Sequence, residues 1–203
     1  MLTLFGHPDS GHAYKIKLLM DVAEIDHEYV FIDIFSPRTS RPKIFRKHAR
    51  FGEVPLLLDG DHALTQSNAI LLYLAKKFSR WGGEHSALLD NATEWLFWEA
   101  NKIGLCLPQL RADKRFDDSR LDDGARDWLM QRYLHDVGLL NDRLGDTGAF
   151  ITGDTLTIAD FSICGYLFLA DEAEVDVPKQ VRAWLARLSE LPHWQTPGEI
   201  LRA

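Results

Sequence analysis

Two short pieces of this 203-residue chain carry groups whose types and spacing suit chemistry: Glu53-Val54-Pro55 and Gln66-Ser67. Val54-Pro55-Leu56-Leu57-Leu58 reads as an apolar strand, yet a proline cannot donate to a sheet ladder. It fits an edge strand, or a sharp turn that frees the residue before it, as a cis Val54–Pro55 bond would. The N–H and C=O of Val54 could then pair with an extended peptide in the manner of an added strand. Gln66-Ser67 stands just before the apolar helical run Ile70, Leu71, Leu74, Phe78. The unpaired N–H groups and positive dipole end of such a helix start suit a carboxylate. A backbone clasp beside a carboxylate clasp points to a small acidic peptide as ligand. Alone, each piece is bland: a common edge-strand proline and a common helix start.

Both pieces depend on elements that hold them in place. Residues 2–5 read as a short strand, followed by the loop His7-Pro8-Asp9-Ser10-Gly11. Ser10 there is a preferred helix N-cap. A helix is predicted over 12–24, with Ala13, Ile16, Met20 and Ala23 on one face. A second strand is expected at 29–34, rich in β-branched and aromatic residues. Residues 35–52 are basic and irregular, with a short helix near 43–48. Strands at 54–58 and 62–64 form a hairpin around Asp59-Gly60-Asp61, and a helix spans 66–78. The order is β-α-β-α-β-β-α.

The texture changes after Phe78. Arg80-Trp81-Gly82-Gly83-Glu84 reads as a linker. Beyond it, apolar periodicity predicts helices at about 86–112, 122–144, 157–172 and 178–190. Pro108 is expected to kink or end the first. The predicted fold class is a small α/β domain (1–79) and an all-α domain (86–203), with 80–85 between them. Thr157-Ile158-Ala159-Asp160 is a capping box, flanked by Leu156 and Phe161 as a hydrophobic staple. Its cap alone stabilises by ~1 kcal/mol, so Asp160 reads as structural rather than catalytic.

Composition narrows the function classes. The net charge is −7, which disfavours a general nucleic-acid or anionic-membrane role. No apolar run approaches the roughly 20 residues of a membrane span, and the N-terminus lacks the charged and apolar regions of a signal peptide. Cys106 and Cys164 fall far apart in apolar helical contexts and are expected as buried free thiols in a reducing cytoplasm. No Cys-x-x-Cys stands near the first helix, which disfavours exchange by a protein dithiol. The eight histidines are scattered, so no metal site is expected, and no glycine-rich loop has phosphate-cradle spacing. Arg38, Arg41, Lys43, Arg46, Lys47 and Arg50 crowd one irregular segment, most simply a solvated basic loop.

The Val-Pro strand, the Gln-Ser helix start, the linker, the helical second half and its Thr-x-x-Asp box together resemble the glutathione transferases, over the whole chain. The resemblance implies a thioredoxin-like N-terminal domain, a helix-bundle C-terminal domain and glutathione as cosubstrate. It implies that Val54, with Glu53 and Pro55 beside it, holds the cysteinyl part, and that Gln66 and Ser67 hold the γ-glutamyl carboxylate. Many members carry Glu where this chain has Gln66, so a charge facing the ligand's ammonium is missing. One or two of the basic residues at 38–50 would hold the glycine carboxylate.

Residues 1–13 contain no Tyr, and Ser10 falls where the serine-type, theta-like and zeta-like classes place their catalytic hydroxyl. A thiol of pKa about 8.5 attacks only as thiolate, and a donated Ser10 O–H would stabilise that form. His12 could contact the ligand or sit in solvent. Leu107, Gln109, Leu110 and Arg111 are candidates for the second substrate's pocket; Arg111 could select an anionic electrophile or simply be exposed.

The expected activity is transfer of glutathione to a small hydrophobic electrophile by a cytoplasmic homodimer. The alternatives are a glutathione-dependent isomerase or dehalogenase, and a non-catalytic binding or assembly module on the same fold.

Overall fold

The structure, a computed structural model, describes residues 1–202. Strands β1 (Leu2–Gly6) and β2 (His27–Phe31) run parallel and are joined by α1 (Gly11–Val22). Helix α2 (Lys43–His48) leads into an antiparallel hairpin of β3 (Leu56–Asp59) and β4 (His62–Thr65), and α3 (Ser67–Phe78) follows. The sheet order is β2-β1-β3-β4, with β3 antiparallel to β1. β3 is therefore interior, and the edge reading of Pro55 is corrected. The Val54–Pro55 bond is cis, and the ladder begins at Leu56, after the residue that has no N–H. β2 stops at Phe31 instead of running to residue 34 because its partner β1 ends at Gly6, directly opposite.

One face of the sheet packs Leu2, Leu4 and Leu57 against α1 and α3 through Ile16, Leu19, Ile70 and Leu71. A smaller apolar cluster of Phe5, Ile32, Phe45, Leu56 and Leu58 forms with α2.

The second half is helical: α4 (Ser86–Asn101), α5 (Ile103–Arg115), α6 (Asp123–Thr147), α7 (Ile158–Leu167), α8 (Lys179–Ser189) and α9 (Pro197–Ile200). The single helix expected over 86–112 is two. Its break lies at Lys102 (φ −123°, ψ −98°), while Pro108 sits inside α5. Just past the break, Gly104 closes on Glu99 so tightly that an added Cβ would lie 2.5 Å from Glu99 Oε1.

The capping box forms as expected at the start of α7. Asp160 accepts from the Thr157 N–H at 2.9 Å, and from Ile151 N–H and Trp184 Nε1 at 3.0 Å each. Burial pushes its carboxyl up to about 6, against the donors that favour the ionised form.

The halves meet where α1 packs on α7. A Cβ on Gly165 would lie 2.6 Å from the Gly11 carbonyl oxygen, and one on Gly11 would lie 2.8 Å from the Tyr166 ring. Two glycines thus let the first turn of α1 press directly on α7. Deeper in the seam, the buried Lys15 Nζ pairs with Glu99 Oε2 at 3.1 Å. Asn68 Nδ2 donates to the same oxygen at 2.8 Å, and Ser162 Oγ reaches it at 3.3 Å.

Candidate active site

The site is built upward from Ser10. Its backbone is extended (φ −102°, ψ 103°), and its Oγ accepts the N–H of Ala13 at 3.1 Å, so it caps α1. Accepting uses a lone pair and leaves the hydroxyl proton free to donate outward. The loop before it is tied at several points. Ser10 N–H donates to the His7 carbonyl at 3.0 Å, and Asp9 N–H to His7 Nδ1 at 3.0 Å. Burial holds His7 below its ordinary value, although Asp9 and Asp33 oppose the shift.

Two adjoining cavities open beside this loop. The first lies between Val54, Gln66, Ser67 and Asn68 on one side and Glu99 and Gly104 on the other, with Glu53 and Pro55 also in its wall. The second is walled by Asp9, Ser10, Ile34, Arg38, Arg41 and Tyr166. His12, Glu53 and Val54 belong to both. With that shared wall the two adjoin as a trough from the start of α3, past Val54, to Ser10.

Gln66 takes φ +70° at the N-cap position of α3, a backbone conformation that favours glycine, and its side chain is exposed. Ser67 is buried in the first turn. Ser67 and Asn68 of that turn line the first cavity, and the unpaired N–H groups of a helix start would favour a carboxylate there.

His12 is enclosed against the Tyr166 ring, with centroids 4.9 Å apart. Burial, helped by the Lys15 charge, drives its pKa down to about 4. Among the described residues its buried Nδ1 has no hydrogen-bond partner. The imidazole is thus neutral at ordinary pH and carries an orphaned ring nitrogen in the trough wall. Burial lifts the Tyr166 hydroxyl to about 12.

Of the basic segment, Arg41 is spent on the chain itself, donating to the carbonyls of Gly52 at 2.6 Å and Ile34 at 2.9 Å. Arg38 lies in the second cavity, and among the described residues no carboxylate pairs with it.

Leu107 and Arg111 are not brought to the trough. Leu107 is fully buried in the main core. Arg111 is only 4% exposed and is bonded to Asp9 and Glu172, so neither the pocket reading nor the exposed reading of Arg111 describes its position. Cys106 and Cys164 are both free and buried. Among the described residues no cluster of three or more His, Cys, Asp or Glu could hold a metal ion, and no helix is long and apolar enough to cross a membrane.

Asn68, Glu99 and Tyr166 line the trough without having been singled out by sequence. Lys15 carried the one local signal, as a charge between Tyr14 and Ile16 on an apolar helix.

A trough joining a cis-proline backbone, a helix start and a hydroxyl can take an extended peptide and stabilise an anion at one end. The family model described as glutathione S-transferase, N-terminal domain, matches residues 1–76, and that of the C-terminal domain matches 109–187. The chain belongs to the glutathione transferase family. It is similar to the dichloromethane dehalogenase of Methylophilus leisingeri, 23% identical over 94% of this chain and 76% of that protein. It is also similar to the disulfide-bond oxidoreductase YfcG of Escherichia coli, 24% identical over 95% of this chain and 92% of that protein. A possible glutathione S-transferase from Rhodopseudomonas palustris superposes with a TM-score of 0.86 at 26% identity, covering 97% of this chain and 98% of that one.

Proposed function

We propose that the chain is a glutathione transferase that binds glutathione in the trough, stabilises its thiolate and delivers it to a small hydrophobic electrophile. Residues 1–79 hold glutathione, residues 86–203 face the electrophile, and 80–85 link them. The γ-glutamyl carboxylate sits at Gln66 and Ser67, and the cysteinyl backbone pairs with Val54. Glu53, Pro55 and His12 shape the walls, and Arg38 is the cation for the glycine carboxylate. The protein works as a cytoplasmic homodimer.

The observation that carries this reading is the geometry of Ser10. Its oxygen accepts from Ala13 at 3.1 Å while its proton stays available at the trough end. Ser10 donates that proton to the glutathione sulfur without losing it, and the N-terminal dipole of α1 adds to the effect. The thiolate then displaces or adds at the electrophile. The electrophile subsite lies towards Tyr166 and Ile34, in place of Leu107 and Arg111.

Ser10→Ala tests this. The ultraviolet thiolate absorbance of bound glutathione should fall, and the conjugation rate should drop about a hundredfold, as for loss of one preorganised donor. If both stay unchanged, Ser10 has no part in the mechanism. If the parent protein is not retained on immobilised glutathione, the non-catalytic module becomes the reading.

A second reading, glutathione-dependent dehalogenation, is favoured by the likeness to a dichloromethane dehalogenase. There the thiolate forms a C–S bond as halide leaves. Halide release from a panel of small haloalkanes, set beside an aryl-halide panel, separates the two.

A further inference from the structure

Arg111 has contacts that suit neither a substrate pocket nor the surface. Its Nη1 donates to the backbone carbonyl of Asp9 at 2.8 Å, and its Nη2 to Asp9 Oδ1 at 3.1 Å. Its Nε donates to Glu172 Oε2 at 2.9 Å. Asp9 is the residue immediately before Ser10, whereas Arg111 and Glu172 belong to the helical half. We propose that Arg111 is a positioning residue: from the far side of the seam it fixes the Asp9 carbonyl and so the direction of the Ser10 hydroxyl. This rests on the proposed thiolate role of Ser10.

The argument is one of constraint. The peptide between Asp9 and Ser10 has one donor, one acceptor and two flanking side chains. Its N–H is held by the His7 carbonyl, and the Ser10 Oγ by the Ala13 N–H. Its C=O is held by Arg111, across the seam. A guanidinium is a rigid planar fork, so two bonds to one residue set direction as well as distance. Without it the peptide can rotate and the hydroxyl swings with it.

A purely stabilising role explains this arrangement less well, since the Asp9 and Glu172 carboxylates pair with both Arg111 and Arg115, and neither pairing calls for the further bond to the Asp9 carbonyl. Net charge is also a weak explanation. Asp9 and Glu172 face Arg111 and Arg115, two charges of each sign. His7 and His12 are both shifted down by burial, Tyr166 is shifted up, and Arg38 and Glu53 lie further along the trough wall. Arg115 supplies an internal control, because it pairs with the carboxylates of Asp9 and Glu172 while Arg111 takes the Asp9 carbonyl.

The test is the titration of bound glutathione in Arg111→Met, Arg111→Lys, Arg115→Met and Asp9→Asn, beside affinity for S-methylglutathione, which has no thiol. Arg111→Met should raise the thiol midpoint by about one pH unit, a tenfold loss of thiolate at fixed pH, with S-methylglutathione affinity within about twofold of the parent. Arg111→Lys should recover part of the shift, since an ammonium still reaches the carbonyl. Arg115→Met should leave the midpoint within about 0.3 unit. Asp9→Asn keeps the carbonyl bond and removes a negative charge, so its midpoint should not rise.

A folded Arg111→Met with the parental midpoint overturns the proposal. So does an equal rise in Arg115→Met, which would make charge the agent. Should Arg111→Met not fold, a midpoint raised in Arg111→Lys but not in Asp9→Asn supports the proposal, while a parental midpoint in Arg111→Lys, or a raised one in Asp9→Asn, overturns it. A parent protein that binds S-methylglutathione but shows no bound thiolate at any pH overturns the Ser10 reading itself, a result distinct from all of these.

Discussion

A cap and the proposed catalytic donor look like rival explanations of Ser10, but one hydroxyl has the atoms for both. Its oxygen holds Ala13 and its proton remains to be given away. Gln66 is less comfortable. At φ +70° a side chain is held in a conformation that costs roughly 1 kcal/mol or more, and such outliers gather where a ligand is gripped. Gln66→Gly should therefore raise Tm by about 2–4 °C while weakening glutathione binding. Calorimetry and a binding titration check both halves, and an unchanged affinity would take the Gln66 side chain out of the site. Ser10, Val54-Pro55 and Gln66-Ser67 were legible in sequence because each is a local backbone event: a cap, a bond before proline, a helix start. Glu99 and Tyr166 were not. They reach the trough through the packing of α4 and α7, and nothing within a few residues of either points there.

Elements were legible where a partner did not redefine them. The hairpin turn and the capping box follow from adjacent residues. β2 was misjudged because it is an edge strand with β1 as its one partner and the ladder stops where β1 ends, and the α4–α5 break because it falls at Lys102, where Gly104 folds back close on Glu99, rather than at Pro108. Helix α5 also owes its far end to one carboxylate. Asp113 accepts Arg126 Nε at 2.8 Å and the Leu121 N–H at 2.7 Å, joining α5 to the start of α6. Those donors, Arg126 foremost, hold its carboxyl at about 2. The unfolded value is near 3.9, so the folded state binds its proton less readily. This contribution is complete above about pH 4 and is lost as pH falls towards 2, and solvent around the partly exposed Arg126 screens it. Asp160, with its folded value near 6, works the other way, its contribution falling as pH rises from about 4 to 6. Denaturant melts at pH 5 and pH 2.5 should show Asp113→Asn less stable than the parent at the higher pH, with the difference narrowed at the lower. A constant difference at both would remove Asp113 from acid sensitivity.

At the scale of the molecule, the trough lies on the seam between halves, and the seam is fastened at three levels: Gly11 on Gly165, Lys15 on Glu99, and Asp9 on Arg111. The two-part architecture was readable because the periodicity of the chain changes after Phe78. The fastenings were not, since each joins residues more than 80 positions apart. The same interior encloses Cys106 and Cys164, and burial raises both thiols above their ordinary range. In the native state a maleimide reagent should add to neither, while the unfolded chain should take two, as read by intact mass. A native adduct would show that one of them is reachable. The consequence concerns endurance. A catalyst of the proposed kind spends its life among alkylating agents, and a protein thiol within their reach would end each molecule's service by self-modification. With the reactive thiol carried in by a replaceable ligand and the chain's own thiols sealed away, the alkylated sulfur leaves with the product.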